Sequence, residues 1–336
     1  MNQFAQVFVS GLATGSIYAL LALGIVLLYR TSAILNFAHG EFGLIGAFMT
    51  FIFLSALELP YLVSFAASLV IALLLGGVTS LLLIRPGKAA LAAGLAALIA
   101  GVTYGFSVSW TLAAIVGIAV GLLSYRYLEQ PLGKPNELGL IIITLGAGLA
   151  LQGLYAIIFG TDNKAVPPIV PDRALRLGGA ALSQLSLFTS GVGVVIMLGL
   201  WLLLNRTKIG LAMRAVAQRD DVAKALGIPV RTVMFATWGV SALLAAAAAL
   251  LLVPTTLLNP VMMLDPVSKG FVSAVIGGMT SLPGAILGGY VLGVLELFVG
   301  VYISNQFKAS FAFLVVIIVL IVKPHGILGK PEVKRV

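Results

Sequence analysis

The chain of 336 residues has no cysteine and only two histidines. Disulfides and thiol-ligated metals are excluded, and a transition-metal site has little to be built from. Charge is scarce as well, at 9% of residues, against about 25% in a typical soluble domain. Several chemical signatures are missing too. There is no GxxxxGK[ST] loop, so the chain does not bind and hydrolyse nucleotide by that route. HExxH and GxSxG are absent, and no nucleophile–base constellation stands out, which speaks against an intramembrane protease or esterase. No regular array of arginines points to voltage sensing.

What fills the chain is apolar: 60% of residues are hydrophobic. No soluble core needs that much, so the excess must face lipid. The apolar runs are continuous and about 20 residues long, as a spanning helix requires, and not the short alternating segments of a barrel. The expected fold is all-α, a polytopic transmembrane helical bundle forming one domain over 1–336. Spans are read near 5–29, 37–55, 61–84, 89–107, 110–125, 138–160, 186–205, 231–254, 270–281, 284–303 and 309–323. That makes about 11 helices, or 10 if the short 270–281 is re-entrant. The first run, Ala5 to Tyr29, is too long for a signal-peptide core and has no small-residue cleavage site after it.

The net charge of +9 does not point to nucleic acid, because the basic residues sit in short connections between apolar runs. Placing the segment Asn205–Arg231 in the cytoplasm sets every other side. Arg30, Arg85, Lys88, Arg126, Lys134 and the tail residues Lys323, Lys330, Lys334 and Arg335 then fall inside. The connection Thr161–Gln184 falls outside, and its Asp162, Lys164, Asp172, Arg173 and Arg176 nearly cancel. The N-terminus is expected outside and the C-terminus inside.

Asn205–Arg231 is the most densely charged internal stretch. Arg206, Lys208, Arg214, Arg219, Lys224 and Arg231 stand against only Asp220 and Asp221. On a helical period Arg214, Gln218 and Asp221 share one face, and Asp220 precedes Lys224 in the favourable acid-before-base order. Gly227 supplies a C-terminal stop, with Pro229 two residues beyond. The spacing predicts a short solvated helix between two spans. Such a segment either only fixes topology or docks onto a separate motor protein.

Polar groups at membrane depth are few. Asn36, Phe37, His39 and Glu41 open the second span, in NFAHGEFG. His39 and Glu41 are two apart, so they point to different sides of a helix and cannot clasp one ligand together. They form either an interfacial cap near the cytoplasmic surface or the glycine-broken lining of a path. Glu296 lies mid-span with no basic residue in its own span, so another helix or water must neutralise it. Thr144 and Gln152 read first as structural interhelical hydrogen bonds. Glycines recur at a spacing of four: Gly11 and Gly15, Gly117 and Gly121, Gly284 and Gly288, Gly289 and Gly293. That spacing lets helix backbones approach closely in lipid.

Several of these stretches, in this order, resemble one family. They are GLATGSIYALLALGIVLLYR, AILNFAHGEFGLIGAF, PLGKPNELGLIIITLGAGLALQGL, GLAMRAVAQRDDVAKALGI, AVIGGMTSLPGAILGGYVLGVLE and the tail KPHGILGKPEV. The chain is similar to the inner-membrane permeases of bacterial ABC importers for branched-chain amino acids, specifically the shorter, H-type subunit. The resemblance implies that Arg214, Gln218, Arg219, Asp220, Asp221, Lys224 and Gly227 couple to the ATPase. It implies as partners two ABC ATPase subunits, a second and longer permease subunit, a periplasmic substrate-binding protein and membrane lipid, but no nucleic acid. It implies no cofactor in this chain, since ATP is bound by the partner subunits, and a multi-pass location in the bacterial inner membrane. Asn36, Phe37, His39, Glu41, Thr144, Gln152 and Glu296 stand as candidates for the translocation path. The chain is longer than the family norm by roughly a helix pair within 61–125. Rival readings are a permease for urea or short amides, more distantly a small-sugar permease, and an ion-coupled secondary transporter using Glu296 or Glu41.

Overall fold

Without water, each backbone N–H and C=O must be satisfied within its own segment, so apolar runs become helices. A computed structural model describes residues 2–84, 137–171, 173–177 and 180–329. Among these the α-helices are α1 Asn2–Ser32, α2 His39–Ser55, α3 Tyr61–Ile84, α4 Glu137–Phe159, α5 Gln184–Arg206, α6 Lys208–Gln218, α7 Asp220–Ala225, α8 Val230–Leu252, α9 Leu264–Gly277, α10 Leu282–Tyr302 and α11 Lys308–Val322. A small antiparallel hairpin, β1 Ala174–Leu177 with β2 Ala180–Ser183, lies between α4 and α5. Helices α1, α3, α5, α8 and α10 are long and apolar enough to cross a membrane, and α2, α4 and α11 contain shorter apolar helices. The spans read at 89–107 and 110–125, the extra helix pair they suggest, and the pair Gly117 and Gly121 lie outside the described residues. So do Arg85, Lys88, Arg126, Lys134, Asp172, Lys330, Lys334 and Arg335.

The core is built on α1 and α8. From Ala19 to Val26 on α1, and from Ala245 to Ala249 on α8, almost nothing is exposed. Lipid tails are as apolar as leucine, so close backbone approach has to hold the bundle together. The glycine pairs supply it. Gly11 and Gly15 of α1 face α10, where an added methyl would stand 2.8 Å from the Cα of Val294 and of Tyr290. From the other side Gly289 meets Ala19 and Gly293 meets Gly15, and the Ser16 hydroxyl donates to the Tyr290 hydroxyl at 3.0 Å. Gly284 and Gly288 are pressed instead against Gly277 and Ser273 of α9.

One end of the bundle gathers the last turn of α1, helix α6, the start of α10 and the end of α9. The tail joins them there, where Ile327 and Leu328 donate to the carbonyls of Ile276 and Gly277. At the opposite end Lys164, after α4, pairs through its backbone with Leu258, after α8.

Two helices start inside the bundle. Ala33, at φ 54°, turns the chain after α1, and residues 33–38 run back into the protein before α2 begins at His39. His39 touches Gly24 and Ser241. Those residues lie about 12 and 16 Å along their helices from the α6 end, at 1.5 Å per residue. In a core about 30 Å thick, α2 therefore opens near mid-depth. Helix α9 mirrors it. Its 14 residues reach only about 21 Å, and the turn before it descends from Leu258 to a buried Met263. The two starts touch, since Gly40 lies against Val267 and Met263. The span read at 270–281 is thus corrected to Leu264–Gly277, because the charge of Lys269 is neutralised within the fold and does not end the helix.

Candidate functional site

Residues spaced by four, four and three share one side of a helix, and on α4 that stripe is Thr144, Gly148, Gln152 and Tyr155. Thr144, Gly148 and Gln152 touch the two irregular segments, and Tyr155 touches the first turn of α2. The Thr144 hydroxyl accepts from the Phe37 N–H at 3.3 Å and lies 3.3 Å from the Leu35 carbonyl. Gly148 leaves room beside Ala38 and the Glu41 side chain. Gln152 donates to the Pro260 carbonyl at 3.5 Å, and the Tyr155 hydroxyl donates to the Glu41 carbonyl at 2.9 Å. Backbone without helical partners is stable at depth only where protein or water satisfies it, and α4 does this for both segments.

The side chain of Glu41 is buried, and its Oε2 has no hydrogen-bond partner among the described residues. Beside the stripe, between α4 and residues 259–261, a cavity of about 410 Å³ is lined by Gln152, Thr161, Asn163 and Asn259 among others. Asn259 donates to Asn163 across it at 2.9 Å.

His39 turns away from this cluster, as its spacing from Glu41 requires. It packs on Gly24, with Nδ1 3.3 Å from the Ser241 hydroxyl, which donates its own proton to the Gly24 carbonyl at 2.9 Å. Both residues are buried in the bundle, His39 at 1% exposed and Glu41 at 7%. Asn36 serves the turn, accepting from the Ala38 N–H at 3.0 Å, and Phe37 stacks on Phe271 of α9 with centroids 5.0 Å apart.

Glu296 lies apart from these groups, wholly buried between α10 and its neighbours. Lys269 of α9 pairs with it at 2.6 Å and with Asp265 at 2.7 Å, while Lys308 of α11 approaches to 3.8 Å. The required partner on another helix is therefore Lys269, which sequence reading left in a loop just before a span. Its signal was an acid-to-base spacing of four, Asp265 to Lys269, running into an apolar stretch.

The charged segment folds as an elbow and not as one helix. Arg219 is extended, at φ −160° and ψ 108°, so the helical period restarts between α6 and α7. Arg214 and Gln218 consequently do not share a continuous helix face with Asp221, which corrects the single-helix reading. Asp220 and Lys224 pair at 2.6 Å, with Asp221 3.8 Å from the same ammonium. Gly227, at φ 78°, ends α7, and the Ile228 N–H returns to the Ala223 carbonyl. Thr207 caps α6, and the buried Gly210, Met213 and Val216 seat it on the bundle. Facing out are Leu211, Val222 and Leu226, the last 75% exposed.

Under α6, between α1, α5 and α10, lies a second cavity of about 320 Å³ with Arg30, Asn205 and Arg214 among apolar walls. Arg214 donates to Asn205 at 3.1 Å.

Comparison with known proteins identifies the family. A family model described as branched-chain amino acid transport system / permease component matches residues 7–109 and 89–322. The high-affinity branched-chain amino acid transport system permease protein BraD of Pseudomonas aeruginosa is 32% identical over 338 residues, covering 99% of this chain and 98% of its own. LivH of Escherichia coli, with the same description, is 29% identical over 338 residues, with 99% and 98% covered. The fructose import permease protein FruF of Bifidobacterium longum is 25% identical over 227 residues, 62% of this chain and 60% of its own. A solved structure, PsaBC from Streptococcus pneumoniae in complex with Fab, overlaps with 16% identity, 90% and 89% coverage and a TM-score of 0.33, too distant to bear on the fold.

Proposed function

The chain belongs to the branched-chain amino acid transport system permease family, and from that premise we propose that it is a membrane subunit of an ATP-driven importer carrying branched-chain amino acids into the cytoplasm. One observation carries the substrate class. The named branched-chain permeases match end to end, whereas the sugar permease matches over 62% of the chain. The protein makes no covalent bond itself. Its work is to be stable in two bundle arrangements whose balance a partner shifts.

In this reading one of two ATPase subunits docks on the elbow α6–α7, which carries Arg214, Gln218, Arg219, Asp220, Asp221, Lys224 and Gly227. A second, longer permease subunit completes the channel, and a periplasmic binding protein delivers substrate. The α6 end faces the cytoplasm of a bacterium and the Lys164–Leu258 end faces the periplasm. Support for this sidedness comes from Arg30, the elbow and the tail lying together at one end, as positive-inside topology requires.

Substrate would pass along the α4 stripe, from the cavity at Gln152 and Asn259 past Glu41 and Thr144. Half-helix starts that meet at mid-depth are how many transporters present polar backbone to a solute. Asn36, Phe37 and His39 hold the α2 start in place, and Lys269–Glu296 holds α9 to α10. An ion-coupled mechanism is not favoured, since the family model and the relatives matched end to end are permease components of transport systems, and Glu296 is already paired with Lys269.

Uptake of labelled leucine against labelled urea in cells carrying the whole transporter tests the substrate class, with leucine the expected cargo and urea the result that would overturn it. Deleting 212–226 should abolish ATPase co-purification and uptake while leaving the protein in the membrane, and unchanged co-purification would remove the elbow's role.

A further inference from the structure

The cavity under α6 lies away from the α4 stripe, and its chemistry is divided. The walls, including Leu27, Met197, Leu200 and Ile286, are apolar, while Arg30 and Arg214 bring two cations. Among the described residues no carboxylate pairs with either arginine, nor with the nearby Arg206 and Lys208. The first turn of α10, Leu282 and Pro283, lines the same space, so the positive end of a 21-residue helix adds to the two guanidinium groups. About 320 Å³ is within the range of small-ligand pockets.

We infer that this cavity binds an anionic phospholipid, its phosphate between Arg30 and Arg214 and the start of an acyl chain along the apolar wall. A free phosphate would leave that wall unfilled. A zwitterionic lipid would leave the cations uncompensated, and basic pockets between membrane helices on the cytoplasmic side select anionic headgroups for this reason. The site rests on the inside placement of α6 proposed above, which sets the leaflet. A lipid bound there is wedged between the elbow and the bundle, so it stiffens the joint through which ATPase movement must pass.

The test uses the assembled transporter, with both permeases and both ATPases, purified in mild detergent. Native mass spectrometry should show phosphatidylglycerol retained in preference to phosphatidylethanolamine. Arg30→Gln should reduce that retention about fivefold, the equivalent of roughly one basic contact at a membrane surface. Ile286→Trp, which fills the cavity without changing charge, should also reduce it, and melting temperature confirms that both variants are folded. Equal retention of the two lipids, unaffected by either substitution, would overturn the site. So would full displacement of phosphatidylglycerol by inorganic phosphate, which marks a free-anion site, or a cross-link from the cavity wall to the second permease, which marks a subunit contact. Sidedness is read separately. A cysteine at Ala217 labelled by an impermeant reagent from outside the cell would overturn the leaflet assignment even where retention behaves as expected.

Discussion

Lys269 and Glu296 hold opposite charges 2.6 Å apart, with the carboxylate wholly cut off from solvent. Removing one member of such a pair strands the other, at a cost of about 3–5 kcal/mol, whereas replacing both with apolar residues is often neutral. Lys269→Met should therefore lower the melting temperature sharply in detergent, and Lys269→Met with Glu296→Met together should restore most of it. Equal loss in the single and double variants would contradict this. Gly148 is tested by size. A methyl there would make only ordinary contacts, 3.4 Å from Ala38 at the nearest, so Gly148→Ala should transport normally. Gly148→Leu would fill the space beside Glu41 and should cut leucine uptake at least ~10-fold, as an occluding side chain does when it blocks a productive geometry, without altering co-purification of the ATPase. Residue type made Glu41, Thr144, Gln152 and Glu296 visible in the sequence, since polar groups are rare in apolar runs. Their partners were not. Tyr155, Ser241 and Lys269 look ordinary where they stand, and the contacts that give them meaning cross 114, 202 and 27 residues of chain.

Helices were legible wherever an apolar run set both ends. Depth was not. A hydropathy window reads 37–55 as a crossing whether its first residue lies at the surface or between α1 and α8, and only the contacts of His39 decide. The break at Arg219 carries no glycine or proline to announce it, so one helix was the natural expectation there. The glycine spacing told more than it usually can, because Gly11, Gly15, Gly289 and Gly293 proved to be two sides of one seam. At that seam Gly15→Val should destabilise the protein by about 1–3 kcal/mol through overpacking. Gly146→Val should not, since among the described residues nothing stands within 4 Å of its position. Unfolding of the two variants side by side checks this. On the elbow, apolar anchors rather than rim charges should carry docking. Leu226→Glu should weaken ATPase co-purification at least ~10-fold, while Lys224→Ala, whose ion pairs with Asp220 and Asp221 are exposed, should change it little.

At the scale of the whole molecule, the proposed function makes the bundle a gate moved from outside. It carries a polar stripe facing two half-helices, a rigid glycine seam, and a seated elbow with outward aliphatic side chains. Fold class followed from composition, and the C-terminal end of the elbow from Gly227. The half-helix starts and the buried ion pair followed only from contacts between distant segments. The claim on which these depend is that energy reaches the path from outside the chain, through α6 and α7. Proteoliposomes settle it most directly. Labelled leucine should accumulate against its gradient only when this protein is reconstituted with its partner permease, both ATPases, the binding protein and ATP. Accumulation driven by the purified chain alone, with a proton or sodium gradient and no nucleotide, would contradict it.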